Sequence, residues 1–372
     1  MTARVSLFLC GDVMTGRGID QILSHPGDPR LYESYVSSAL TYVSLAEDVN
    51  GPIPRPVDDA YIWGAALEEL ERLQPAARIV NLETAVTEVG QPAPKGINYR
   101  MHPKNVGCLA AARIDCCTLA NNHVLDWGRE GLVETIHTLN SAGIRTAGAG
   151  IDRKMAEAPA VLPLPGDGRV LVFSFGETGS GIPRDWAATP GRPGLNLLPD
   201  LTTGTANRLA ATIRRFRRPN DIIVASIHWG GNWGYEVPEE HQAFARRLVE
   251  LGGADIIHGH SSHHPKPFEI HRRKLILYGC GDFLNDYEGI GGYEYFRGDL
   301  VLMYIPRLNR ETADLVRLDM IPLQIRKFRL NRASRSDAEW LRETLNREGR
   351  PFGTSIDISA DGALTLTHKV QP

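Results

Sequence analysis

The stretch 253–270, GADIIHGHSSHHPKPFEI, holds His258, His260, His263 and His264, four of only 12 histidines in the chain. Elsewhere imidazole, carboxylate and amide groups recur after apolar runs. Asp12 follows Gly11, Glu83 lies two positions beyond Asn81, and Asn121, Asn122 and His123 are followed by Asp126. His228 heads HWGGN, and Asp282 follows Gly281. Mixed nitrogen and oxygen donors suit a borderline divalent ion, Mn, Zn or Fe foremost, whereas an all-oxygen set would favour Mg or Ca. No cysteine joins the set, which argues against a closed structural zinc site. An open site of this kind points to metal-assisted hydrolysis, in which the ion acidifies water and polarises the bond attacked.

Around this set stand candidates for substrate contact. Arg17 lies just beyond Asp12, and Lys95 and Arg100 fall in the loop PAPKGINYRMHP after Glu83. They could grip an anion, with solvated loop residues as the alternative. Trp229, Asn232 and Trp233, in HWGGNWGYEVP, could line a pocket, with core packing of the aromatics as an equal alternative. His258 sits within a strand alternation and is expected to face away from the site, and His264, before Pro265, is expected at the surface.

Positioning these groups falls to short apolar runs that alternate with helical patterns. Strands are expected at 5–10, 78–82, 116–120, 170–175, 222–227, 255–257 and 274–278. Helical spacing appears at Leu132, Ile136 and Leu139, closed by Gly143, and again from Pro238 through Phe244 and Leu248 to Gly252. Such alternation predicts a mostly parallel sheet with helices on its faces. The carboxyl ends of parallel strands share one edge, where ligands bind, and nearly every expected strand delivers an acid, amide or imidazole there.

Two stretches read as excursions: an insertion at 23–56, and a Pro/Gly-rich loop at 177–200, too long for a plain connector. Near the carboxyl end Ser336 and Glu339 have the spacing of a capping box, Leu341 and Leu345 share a helix face, and Gly349 with Pro351 ends the helix. A hairpin is expected at 355–358 and 364–367, turning at Asp361 and Gly362. The reading is a catalytic domain over 1–310 and a helix-and-hairpin extension over 311–372 packed on it.

With 372 residues, 42% hydrophobic and 23% charged, and a net charge of −3, the chain has room for one large α/β domain and no electrostatic footprint for nucleic acid. The basic run at 213–218 reads as a helix end whose arginines complement the dipole. Cys10, Cys108, Cys116, Cys117 and Cys280 match no zinc spacing and lie in or beside apolar stretches, as buried reduced thiols of a cytoplasmic protein would. The amino-terminal apolar run is too short for a secretory signal, and no stretch approaches the ~18 apolar residues of a membrane span, so no membrane anchor is expected.

Taken in order, Gly11-Asp12, Asn81-Leu82-Glu83, Asn121-Asn122-His123, His228 and Gly259-His260-Ser261-Ser262-His263 resemble the calcineurin-like metallophosphoesterase signature. GDVM, NLET, ANNHVLDWG, HWG and YGCGDF together are more closely similar to the poly-γ-glutamate (capsule) synthesis, or CapA-like, branch, over about 5–296. The resemblance implies a four-layer α/β sandwich, two central mixed sheets flanked by helices, with one or two divalent ions. It implies that Glu83 bridges, that Asn122, His228 and His260 complete one site, and that Asp12 and His263 hold the other. His123 would be the imidazole that stabilises charge or protonates the leaving group, oriented by Asp126.

Three departures stand out. Met14 occupies the place of an imidazole in the usual Asp-x-His, Glu83 replaces an aspartate, and two residues rather than one separate His260 from His263. The leading expectation is hydrolysis of a phosphoester or a γ-glutamyl or peptide amide bond in a small-molecule or polyglutamate-type anionic substrate. The alternatives are peptide epimerisation with Asp12 and His123 as a two-base pair, and a non-catalytic protein that binds an anionic polymer through its metal.

Overall fold

The computed structural model describes residues 4–367 and divides most strands between two mixed sheets. The larger runs in the order Ile356–Ile358, Leu364–Leu366, Leu315–Ile325, Leu300–Asn309, Arg4–Val13, Ala77–Leu82, Cys116–Thr118 and Arg145–Ala147. Its last four strands are mutually parallel and its carboxyl-terminal strands antiparallel, while Asp282–Leu284 adds in parallel beside Arg4–Val13. The smaller sheet runs Phe268–His271, Lys274–Leu277, Ile256–His260, Ile222–His228, Arg169–Gly176 and Ala160–Pro163, parallel except at its two edges.

Strand alternation explains how these sheets stack, because successive side chains take opposite faces. Leu7, Leu9, Ile79 and Cys116 of the larger sheet share one apolar cluster with Val170, Val172, Ile222, Val224 and Ile256 of the smaller. Their neighbours Phe8, Cys10, Val80 and Cys117 enter a second cluster with Ala66, Leu70, Leu132, Ile136 and Leu139, residues of the helices Ala65–Leu73 and Gly128–Ser141. On the far side Leu171, Phe173, Ile223, Ala225 and Ile257 meet Ala206, Ala210, Phe244 and Leu248 of the helices Thr203–Arg214 and Glu239–Glu250. The sheets therefore face each other, and helices cover both outer faces.

The expected strands are present with shifted ends. The 255–257 run becomes Ile256–His260, so His258 and His260 lie inside a strand and not after it. The basic run ends a helix as expected, with Arg217 holding Asp255 at 2.9 Å. All five cysteines are buried and free. The hairpin forms, but the capping box sits two residues early: Ser334 caps the helix Arg335–Glu348 with Asp337, while Glu339 pairs with Arg335 at 3.0 Å. Beyond 310, the strand Leu315–Ile325 continues the larger sheet by pairing with Leu300–Asn309. Residues 1–3 and 368–372 of the two expected domains lie outside the described ones.

The 23–56 stretch carries the helix Leu40–Asn50, which buries Tyr42, Val43 and Ala46. The 177–200 loop is folded against the body: Ile182, Trp186, Leu195 and Leu198 are buried, and Gly194–Leu195 pairs with Ala149–Gly150. Among the described residues no helix is long and apolar enough to cross a membrane.

Candidate metal centre

On the faces that the two sheets turn to each other, apolar residues give way to polar ones toward the carboxyl ends of the strands. Ile222 and Val224 lead to Ser226 and His228, Ile256 leads to His258 and His260, Ile79 to Asn81, and Cys116 to Thr118. His228 and His260 are register partners in adjacent parallel strands, and Asp12 is level with both Asn81 and Asp282. The polar layer therefore closes one end of an apolar inter-sheet core. Its groups satisfy one another: Thr118 Oγ1 donates to Asn81 Oδ1 at 3.2 Å, and Ser226 Oγ contacts His260 Nε2 at 2.8 Å.

Asp12, His228 and His260 bring one ligand atom each within 4.8 Å of one another, and all three are buried. Asp12 Oδ1 lies 3.7 Å from His260 Nδ1, and Asn122 Oδ1 is 3.0 Å from His228 Nε2. Glu83 Oε1 stands between two imidazoles, 3.9 Å from His228 Nε2 and 3.8 Å from His123 Nε2. Asn81 Nδ2 donates to Asp12 Oδ1 at 2.7 Å and reaches Glu83 Oε2 at 3.5 Å. Ser261 adopts φ +106°, a region favouring glycine, and its N–H donates to Asp12 Oδ2 at 3.1 Å. Such a backbone costs on the order of 1–3 kcal/mol and tends to occur where geometry serves a site.

The donor chemistry fits a cation. Burial, then the nearby Asp282, pushes the Asp12 carboxyl up to about 7, and burial, then Asp12, raises Glu83 as well. Buried acids this close cannot all ionise without a positive charge among them. Burial also drives His228 and His260 below the usual imidazole range, which leaves the neutral form that binds metals. The residues that would hold an ion are Asp12, His228 and His260, with Glu83 and Asn122 at its edge.

His123 lies beside this group. Its Nδ1 is 2.6 Å from Asp126 Oδ2, its ring sits edge-on to Tyr99 with centroids 4.6 Å apart, and burial pulls its pKa down to about 4. Lys95 Nζ bonds Asp126 Oδ1 at 2.8 Å and the Asn122 carbonyl, so its charge serves the site from within. His263 Nδ1 contacts Asp282 Oδ1 at 2.9 Å, not Asp12. Burial opposes its protonation, but Asp282 and then Asp12 outweigh that and raise it above the usual value.

Several sequence expectations need correction. Arg17 is buried and committed to carboxylates of the chain itself: its three guanidinium nitrogens each bond Asp286 or Glu33, and it lies between the Tyr42 and Tyr99 rings. Trp229 belongs to the core, 3% exposed, with Nε1 donating to the Tyr278 carbonyl and its ring stacked on His241. Arg100 needs no such correction: its guanidinium carbon lies 3.7 Å from the Trp127 ring centroid. His258 faces the same side as His260, because two residues apart on a strand means one face; its Nε2 is 2.7 Å from the Cys10 carbonyl. His264 is buried, not at the surface: its Nε2 accepts from the Gly234 N–H, and its ring stacks on Phe296.

Asn232 is exposed, with its carbonyl accepting from the His263 N–H, and Trp233 flanks His263 with centroids 5.3 Å apart. Thr118, Ser226 and Ser261 also belong to the polar layer, although their residue types alone do not mark them as site residues. The signal for the first two is parity: each lies an even number of residues from an apolar side chain on the inter-sheet face, Cys116 for Thr118 and Val224 for Ser226.

Comparison with known proteins gives this geometry a context. The family model for the bacterial capsule synthesis protein PGA_cap matches residues 6–287. A "Probable polyglutamine synthesis accessory protein" of Mycobacterium tuberculosis (strain ATCC 25618 / H37Rv) is 48% identical over 364 residues, covering 97% of this chain and 96% of the relative. The capsule biosynthesis protein CapA of Bacillus anthracis is 25% identical over 329 residues, 87% of this chain and 68% of that protein. The PGA biosynthesis protein CapA of Bacillus subtilis (strain 168) is 25% identical over 285 residues, 76% and 63%. The chain belongs to the bacterial capsule synthesis protein family, PGA_cap.

Proposed function

We propose that this protein is a metal-dependent hydrolase of the CapA-like family, acting in the cytoplasm on a polyglutamate-type anionic substrate at a γ-glutamyl or peptide amide bond or a phosphoester. The facing sheets with helices outside are read as the four-layer sandwich of the calcineurin-like metallophosphoesterases, with 1–310 as the catalytic body and 311–372 as an extension packed on it. The observation that carries the reading is the juxtaposition of Asp12, His228 and His260 with Glu83, whose carboxylate also faces His123.

A bound divalent ion, Mn, Zn or Fe, would supply Lewis acidity, drawing electron density from the bond attacked and acidifying water. The chain's own residues would manage the proton. Asp126 holds His123 at Nδ1, which leaves Nε2 facing Glu83 as the atom that gives or takes a proton. Lys95 holds Asp126 in turn, a positioning role in place of a grip on substrate. Asn81 and the Ser261 N–H fix the Asp12 carboxylate.

The test is turnover by protein stripped of metal and reloaded with Mn, Zn or Fe, on γ-linked glutamate oligomers and on a generic phosphodiester. Metal-dependent cleavage of either supports hydrolysis. Full metal loading with no cleavage of either would overturn it in favour of a binding protein.

A further inference from the structure

A cleft of about 370 Å³ adjoins the His263 side of the centre. Two of its lining residues, Trp233 and Tyr287, pack on His263 with ring centroids 5.3 Å away, and a third, Asn285, donates to Asp282 at 2.7 Å. Its wall is mainly apolar, built around Trp233 and Tyr293, whose rings lie parallel with centroids 4.1 Å apart. Tyr293 is nonetheless 48% exposed, on the glycine-rich segment 287–298.

Charge on this wall is almost fully committed. Glu288 accepts from the Lys327 and Phe328 N–H groups at 2.7 Å each and from Asn50. Asp299 is held by Arg297 and Gln324, and Arg297 also bonds Asp337. Glu294, at the exposed rim, accepts from the Gly292 N–H. Among the described residues Arg326 is the wall cation without an ion pair, although Glu288 feels its field.

We infer that this cleft is the subsite for a carboxylate-bearing γ-glutamyl chain, its methylenes against the Trp233–Tyr293 wall and one carboxylate on Arg326. The inference rests on the polyglutamate reading of the substrate and adds where the chain lies when its scissile bond reaches the centre. An apolar wall with one uncommitted cation suits a repeating unit of two methylenes and one acid. A phosphate-rich ligand would want several donors, and the cleft does not offer them.

The experiment is calorimetric titration of Mn-loaded protein with a γ-linked glutamate tetramer and with its neutral γ-linked glutamine analogue. The wild type is expected to prefer the acid. Arg326→Glu is expected to weaken tetramer binding roughly tenfold or more while leaving binding of the neutral analogue within about twofold. Trp233→Leu should weaken both probes, and metal content per chain should be unchanged in both variants. Equal tetramer affinity in Arg326→Glu and wild type overturns the subsite, as does a wild type that binds neither probe or shows no preference. Cleavage is not read, so a failure of the hydrolase reading would show separately, in turnover, and leave this result intact.

Discussion

The Nδ1 atoms of His228 and His260 lie 2.8 Å apart because the two residues are register partners in parallel strands. Two imidazole nitrogens at that distance can share only one hydrogen, so one ring donates and the other accepts. A cation that withdrew this hydrogen would find two ligands already aligned. His260→Ala is accordingly expected to lower metal affinity by more than the roughly 10–100-fold that loss of a supporting residue costs, without unfolding the chain. Isothermal titration with Mn or Zn, beside a circular dichroism spectrum, checks it; affinity within a few-fold of wild type would remove His260 from the ligand set.

His123 is predicted to act on protons and not on the ion. His123→Gln should retain bound metal and lose about 10²–10⁴ in kcat on whichever oligomer the wild type cleaves. Asp126→Asn should follow it in part, since Asp126 contacts His123 Nδ1 at 2.6 Å and sets its tautomer. Metal analysis and steady-state kinetics on the same preparations separate the two roles. A His123 variant that turns over normally would end the assignment.

Met14 bears on how many ions the centre keeps. Its thioether is buried and accepts from the Tyr287 hydroxyl at 3.7 Å, while that hydroxyl also pairs with Tyr99 at 3.0 Å. With Asp12, His228 and His260 as the close ligand group among the described residues, one tightly held ion per chain is expected. Met14→His should add imidazole beside Asp12 and raise the count toward two. Equilibrium dialysis with elemental analysis reads the stoichiometry; an unchanged count in the variant would locate the deficit elsewhere.

Most of the scaffold was legible because its signals are local. Apolar runs such as 222–227 and the glycine stop at 252 need no knowledge of partners, and strands and helices formed there. What failed depended on distant contacts. Arg17 looked free in sequence, yet Asp286, remote along the chain, stands beside it in the fold. His258 and His264 were misplaced for a related reason: a strand extended to His260 puts His258 on the inter-sheet face, and Trp233 with Phe296 covers His264. The register that pairs His228 with His260 is likewise invisible until two strands are laid side by side.

Arg17 leads to a stability prediction where the sequence suggested a binding one. Its guanidinium is the shared partner of two buried carboxylates, Asp286 and Glu33, and a cation–π partner of Tyr42 with its carbon 3.9 Å from the ring centroid. Arg17→Gln would leave both acids buried without that cation, a loss of about 3–5 kcal/mol in comparable buried pairs. Urea denaturation should show the midpoint falling sharply. A variant of wild-type stability would mean that water reaches these acids, and Arg17 would again be a candidate for anion binding.

His241 provides a pH dependence that can be isolated from the centre. Its ring is buried and stacked on Trp229 with centroids 4.6 Å apart; burial first, then Lys266, pulls its pKa down to about 4. The unfolded chain binds this proton near pH 6.5, so between about 4 and 6.5 the unfolded state holds more protons. The contribution is therefore complete above pH 6.5 and is lost as pH falls through that window. His241→Phe keeps an aromatic ring on Trp229 without the titration, and every other group titrates alike in both proteins. Between pH 7 and pH 4 the wild type should lose roughly 2–3 kcal/mol more stability than the variant. Parallel denaturation curves at the two pH values measure that difference directly; equal losses would show that His241 accepts its proton in the folded state without penalty.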